Sequence, residues 1–401
     1  MTEALAAETI LQALTPGRES VDRFLSPENP NGTVFDPELG FLLRTSVRRD
    51  GMDGSRTYGR YEQSGERRML NFAELPCRIN TYGNSFTQGA QVSDGETYEE
   101  YLAAHLGEPL RNFGVRGHGV YQAYRRMLRV ESASVSANYL ILNIYGDDHY
   151  RSIYPWRWLH LRSLRRRLTK GGRGSAAPST FHANPWVHLR LNPETGAFDE
   201  RPNPYPTPES LYQLCDPQHV YDTFHTAFDV QALLARHHAA DVNHQVLQAV
   251  ADSLDQPTDF SSSAAVAQTA GDLLLACALR ASQYVVEQAR AFAAAQGKRL
   301  LLLLSFSEAE VHAALTGQPR FDQPFVDYLQ SEDYHFVDSL PAHVEDYTAF
   351  QCSPEEYLRR YYIGHYNPRG NHFFAFAIKE AVVDWLDPKP PAYADESRNT
   401  A

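Results

Sequence analysis

The spacing of apolar residues changes period several times along the chain, and those changes predict its elements. Arg78-Ile79-Asn80-Thr81-Tyr82 alternates and predicts a short strand. Over 97–106, Tyr98, Tyr101, Leu102 and Leu106 recur at helical spacing, and Gly107 follows as a stop. Residues 111–115 predict a second strand and 120–130 a second helix. The run Asn138-Tyr139-Leu140-Ile141-Leu142-Asn143-Ile144-Tyr145 is nearly all apolar, as in a strand buried on both faces. Strand, helix, strand, helix, strand at this spacing predicts a parallel, doubly wound α/β sheet.

The rhythm then breaks. Residues 151–264 carry Trp156, Trp158 and Trp186, a Pro-rich stretch at 193–208, and a helical run with His219, His225, His237, His238 and His244. This predicts a large, mostly helical insertion packed on the core. The tryptophans either pack that insertion or line a substrate cleft. The α/β pattern resumes with a helix over 264–296, a strand over 299–306, a short strand at Phe336-Val337-Asp338 and a closing helix over 371–386. Ahead of the core, Leu5, Ile10, Leu11 and Leu14 suit one short amphipathic helix. The expected organisation is an N-terminal extension (1–74), a first core half (75–150), the insertion (151–264), a second core half (265–390) and a tail (391–401).

Composition narrows the classes. With 43% hydrophobic and 21% charged residues among 401, the chain has a globular composition. A net charge of -12 argues against nucleic acid as a partner, because phosphate binding needs an excess of Lys and Arg. The one basic run, from Arg162 through Arg165, Arg166, Arg167 and Lys170 to Arg173, reads as a helix end entering a Gly-rich surface loop rather than a polyanion site. No two of the four cysteines are spaced as a metal knuckle or a redox pair. There is no signal-peptide pattern, and no apolar stretch reads as a membrane span, so the expected location is the cytoplasm.

Three turns carry candidate chemistry. Gly83-Asn84-Ser85-Phe86-Thr87 follows the first core strand, and a serine on a tight strand-to-helix turn presents its hydroxyl and its own N–H together. Asn112-Phe113-Gly114-Val115-Arg116-Gly117 follows the second, where glycines let backbone amides approach a ligand. His365-Tyr366-Asn367 precedes the closing helix and supplies a general base. Each alone is also an ordinary turn. In this order they resemble the SGNH/GDSL hydrolase family, in bacterial members with an N-terminal extension, over 78–150 and 297–388. The lead-in Asp36-Pro37-Glu38-Leu39-Gly40 resembles those members too.

The resemblance implies a three-layer, flavodoxin-like sandwich and a serine ester hydrolase or acyltransferase acting through a Ser85 acyl-enzyme. His365 would be base and then acid, and Ser85 and Gly117 would supply oxyanion-hole amides. The substrate would be a small acyl, carbohydrate or lipid ester, with Asn84, Asp148 and Asn367 as possible substrate contacts and no cofactor or metal. Two positions depart from the family. Asp147 stands where an Asn usually donates to the oxyanion, and could donate only if burial and Asp148 keep it neutral. Tyr362 and Ile363 stand where the family has the Asp that orients the histidine. His365 would then be held by a backbone carbonyl, by a carboxylate such as Glu356, or by nothing. Two other readings stay open: a non-catalytic binding protein on the same fold, and a metal-assisted hydrolase or lyase using Asp147, Asp148 and His149 with His365 or His372.

Overall fold

The computed structural model describes residues 5–29, 31–161, 181 and 183–394. The chain forms two compact units, Met1–Leu42 with His149–Tyr284, and Leu43–Asp148 with Val285–Ala401. The expected extension over 1–74 therefore divides. Its first part joins the residues read as an insertion, and its second part belongs to the unit that carries the central sheet.

That sheet has five strands: β1 (Ile79–Tyr82), β2 (Arg111–Asn112), β3 (Tyr139–Tyr145), β4 (Arg299–Ser305) and β5 (Phe336–Asp338). Their order across the sheet is β2-β1-β3-β4-β5, and every pairing is parallel. Mixed α/β architecture with a parallel sheet is thus as the spacing predicts. β3 is central, with Leu140 opposite Asn80 on one side and Leu300 on the other. Burial on both faces explains its unbroken apolar run; Leu140, Ile141 and Leu142 are wholly inaccessible. Each such side chain contributes about 1.5–3 kcal/mol relative to exposure. The direction of strand succession reverses between β1 and β3. In open α/β sheets that reversal leaves a crevice outside the strands' C-terminal ends.

In the other unit the tryptophans are packing residues. Trp156, Trp158 and Trp186 are buried. The Trp158 indole N–H donates to the Leu14 carbonyl at 2.8 Å, and that of Trp186 to the Tyr154 carbonyl at 2.7 Å. The unit is mostly helical, but His188–Leu191 and Phe198–Arg201 form an antiparallel pair that the Pro-rich composition had hidden. A cavity of about 500 Å³ lies in this unit, with Leu191, Phe224, Phe228 and Val250 on its walls. The basic run from Arg162 to Arg173 lies outside the described residues.

One helix corrects the reading of spans. Ser263–Ala295 is long and apolar enough to cross a membrane by length and composition, with half of its most apolar window buried inside the protein. Alanines and scattered polar residues spread its hydropathy thinly, so no continuous apolar block marks it in the sequence.

Candidate functional site

Ser85 opens the short helix Ser85–Gln88, directly after β1. The Asn84 side chain caps that helix, its Oδ1 accepting from the Phe86 N–H at 2.7 Å. Two glycines make the turn possible. A Cβ on Gly83 would sit 2.2 Å from Thr87 Oγ1 and 2.7 Å from the Asn143 carbonyl oxygen, and one on Gly114 would sit 2.2 Å from the Gln88 nitrogen. No side chain fits at either place.

His365 reaches Ser85 from the far end of the chain. Its Nε2 lies 2.8 Å from Ser85 Oγ. On the other edge of the ring, Nδ1 lies 2.8 Å from Gln91 Oε1, and the His365 backbone N–H donates to the same oxygen at 2.9 Å. The Gln91 amide nitrogen donates to the Asp50 carbonyl at 3.1 Å. Those contacts fix the amide's orientation, because a flipped Gln91 would set an NH₂ against an N–H and an oxygen against a carbonyl. They also fix the histidine's tautomer. With Gln91 Oε1 as acceptor, Nδ1 carries the proton and Nε2 presents its lone pair to the Ser85 hydroxyl.

Gln91 is held in place by its backbone. It has φ +69, in the left-handed region that non-glycine residues rarely occupy. Such strain persists only where surroundings over-determine it. Here they do so through Arg67, a buried residue of the 43–74 segment. Its guanidinium donates to the carbonyls of Gln88 (2.5 Å), Gly89 (2.7 Å) and Val92 (2.7 Å), and pairs with Asp94 at 2.9 Å. Position 363 meets His365 through the backbone, the Ile363 N–H donating to the His365 carbonyl at 2.8 Å, and the Tyr362 hydroxyl donates to the Phe306 carbonyl at 3.1 Å. Glu356, the carboxylate weighed for that task, is spent capping the helix Pro354–Tyr361 through the Ser353 N–H.

The other expected site residues divide. Gly117 follows β2 in a turn closed by the His118 N–H donating to the Val115 carbonyl at 3.2 Å. Its φ of +83 is that of the third residue of a type II turn. Among the described residues, neither the Ser85 nor the Gly117 amide N–H has a hydrogen-bond partner. Asp147 follows β3 but is exposed, so the burial on which a neutral donor would rest is missing. It stands close enough to Glu310 to add to the upward push that burial gives that carboxyl.

The three residues read as substrate contacts are instead occupied internally. Asn84 Nδ2 donates to Asp148 Oδ1 at 2.7 Å, and Asp148 Oδ2 accepts from the Tyr145 N–H at 3.2 Å. Asn367 caps the closing helix Pro368–Trp385 and donates to the Arg360 carbonyl. Because Asp148, not Asp147, turns back toward the Ser85 helix, it positions that turn through Asn84.

The metal reading loses its cluster. His149 Nδ1 lies 2.8 Å from Ser282 Oγ, and His372 packs edge-on against the Tyr101 ring. Among the described residues no three His, Cys, Asp or Glu side chains stand together as a metal-binding group. Compared with known proteins, the chain matches no family model and no curated protein at a significant level.

Proposed function

We propose that this chain is a serine ester hydrolase or acyltransferase of the SGNH/GDSL kind, acting through an acyl-enzyme on Ser85. The observation that carries the reading is the 2.8 Å approach of His365 Nε2 to Ser85 Oγ, with the opposite ring nitrogen held by Gln91. That is the nucleophile, base and orienting group of a hydrolytic triad, with an amide in the third place.

The chemistry follows from the tautomer. His365 Nε2 takes the Ser85 proton as Oγ adds to the ester carbonyl. The negative charge that develops on the carbonyl oxygen calls for N–H donors, and the unpartnered amides of Ser85 and Gly117 supply them. The imidazolium then gives its proton to the departing alcohol, leaving acyl-Ser85. Water, or a second alcohol in an acyltransferase, enters by the reverse sequence. Gln91 accepts the Nδ1 proton throughout but brings no charge, so it orients the ring and stabilises the imidazolium less than a carboxylate would.

A fluorophosphonate probe tests this directly. Covalent labelling of the wild-type protein, lost in Ser85→Ala and weakened in His365→Ala, is expected. A folded wild-type protein that resists labelling and hydrolyses no short-chain 4-nitrophenyl ester would sink the proposal.

A further inference from the structure

Gln91 also stands on the wall of a cavity of about 20 Å³, with Arg48, Asp50, Tyr61, Arg67 and Arg116. A space of at least about 10–15 Å³ is needed to hold one water-sized group. The charges around it do not cancel. Arg48 pairs with Asp50 at 3.0 Å, and Arg67 pairs with Asp94 at 2.9 Å. Asp50 is the one carboxylate among the residues lining the cavity, and its oxygens accept from Arg48 and from the Thr57 hydroxyl, with no hydrogen bond to Arg116 among the described residues.

Arg116 is left over. Its side chain makes no hydrogen bond or ion pair among the described residues, and its Nε is buried without a partner. The Tyr61 hydroxyl on the same wall is also buried and unpartnered. Burial, aided by the Arg48 charge, brings the Arg116 guanidinium down to about 10, which still leaves it cationic at neutral pH. The Arg116 Nε–H and the Tyr61 hydroxyl are thus two buried donors that lack the hydrogen bonds they would make in water. One negatively charged atom or carboxylate oxygen would satisfy both groups.

We propose that this cavity is a binding site for a small anion, a halide or a carboxylate, held by Arg116 and the Tyr61 hydroxyl. The site does not depend on the hydrolase reading, although its wall includes the residue that holds His365. Two sources supply the same chemistry: a free anion from solution, or a carboxylate on the acyl portion of the substrate.

The binding arm uses thermal unfolding of the full chain at constant ionic strength, with sodium gluconate, too bulky for the cavity, replaced stepwise by sodium chloride or acetate. The unfolding temperature is expected to rise by about 2 °C at ten times the dissociation constant. Ser85→Ala should retain the rise, whatever becomes of the catalytic proposal. Arg116→Gln should lose it, and Tyr61→Phe, which removes only a hydroxyl, should weaken it several-fold.

The second arm compares 4-nitrophenyl acetate with mono-4-nitrophenyl succinate. A substrate carboxylate as occupant predicts at least a tenfold preference in kcat/KM for the succinate ester, lost in Arg116→Gln and competed by chloride. A free anion predicts the thermal shift without that preference. No anion-dependent shift and no preference, or an identical shift in Arg116→Gln and Tyr61→Phe, overturns the site.

Discussion

His365 Nδ1 and Gln91 Oε1 stand 2.8 Å apart, and this contact puts a neutral amide where a hydrolytic triad ordinarily has a carboxylate. A carboxylate raises the basicity of the imidazole it faces, and an amide oxygen does so only weakly. Gln91→Glu should therefore move the acid limb of the kcat/KM profile to higher pH, while Gln91→Ala should lower kcat by about 10²-fold or more with little change in KM. Steady-state kinetics from pH 5 to 9 decide the matter. Unchanged profiles in both variants would remove Gln91 from any role at the histidine.

Arg67 has a stability role and an activity role that can be separated. Its guanidinium and Asp94 are both almost wholly buried, at 3% and 1% side-chain exposure. Removing one partner of a buried pair costs about 3–5 kcal/mol. Arg67→Met should lower the urea midpoint accordingly. At temperatures where the variant stays folded, it should also lose ester hydrolysis, because the Gln88–Val92 carbonyls that fix Gln91 are then unheld. Full activity in a destabilised variant would restrict Arg67 to stability alone.

Glu99 sets a pH dependence of opposite sign to ordinary acid denaturation. Burial pushes its carboxyl up to about 8, with the Thr81 hydroxyl donating to it at 3.0 Å. Between the usual carboxylate range and about 8, the unfolded chain has released this proton and the folded chain keeps it. Stability therefore falls as pH rises through that window and levels off above it. Glu99→Gln keeps the acceptor for Thr81 without the ionisation. It should be more stable than wild type at pH 8, by on the order of 3–5 kcal/mol, and nearly equal at pH 4. Urea titrations at the two pH values measure the difference; equal increments at both would show that Glu99 does not carry it.

At Asp147 the charge is the question. The residue is exposed beside Glu310, so Asp147→Asn should change stability by no more than about 0.5 kcal/mol. On the proposed reaction, removing a carboxylate at the end of β3 should leave ester hydrolysis equal or faster. A folded Asp147→Asn protein without activity would show that the negative charge is needed, as for a cationic group on the substrate.

The parts of this site that were legible in the sequence are those with local causes. β3 announces itself because burial on both faces demands an unbroken apolar run. Ser85 and His365 stand out because each lies on a turn bounded by strongly periodic segments. Gln91 has no such signal. A glutamine in a polar loop is unremarkable by composition, and its left-handed φ and its histidine partner exist only in the folded chain. Arg67, in the segment read as an extension, was hidden for the same reason: of its five acceptor groups one is at Tyr58 and four lie between Gln88 and Asp94. Asp147 and Asp148 were legible as a pair but not as individuals, since which of two adjacent carboxylates turns inward depends on the exact end of β3.

The separation of Ser85 and His365 along the chain has a consequence for biosynthesis. They are 280 residues apart, and Gln91 is 274 from the same histidine. During translation the serine emerges early, in a turn whose glycines and Asn84 cap are all local to the first strands. The base proposed for it is made only 280 residues later. Until then Ser85 lacks the His365 nitrogen that stands 2.8 Å from its hydroxyl in the folded chain. On the proposed chemistry, reactivity at Ser85 would report synthesis as far as His365, and a nascent chain stalled short of it should go unlabelled by any probe that needs an activated serine.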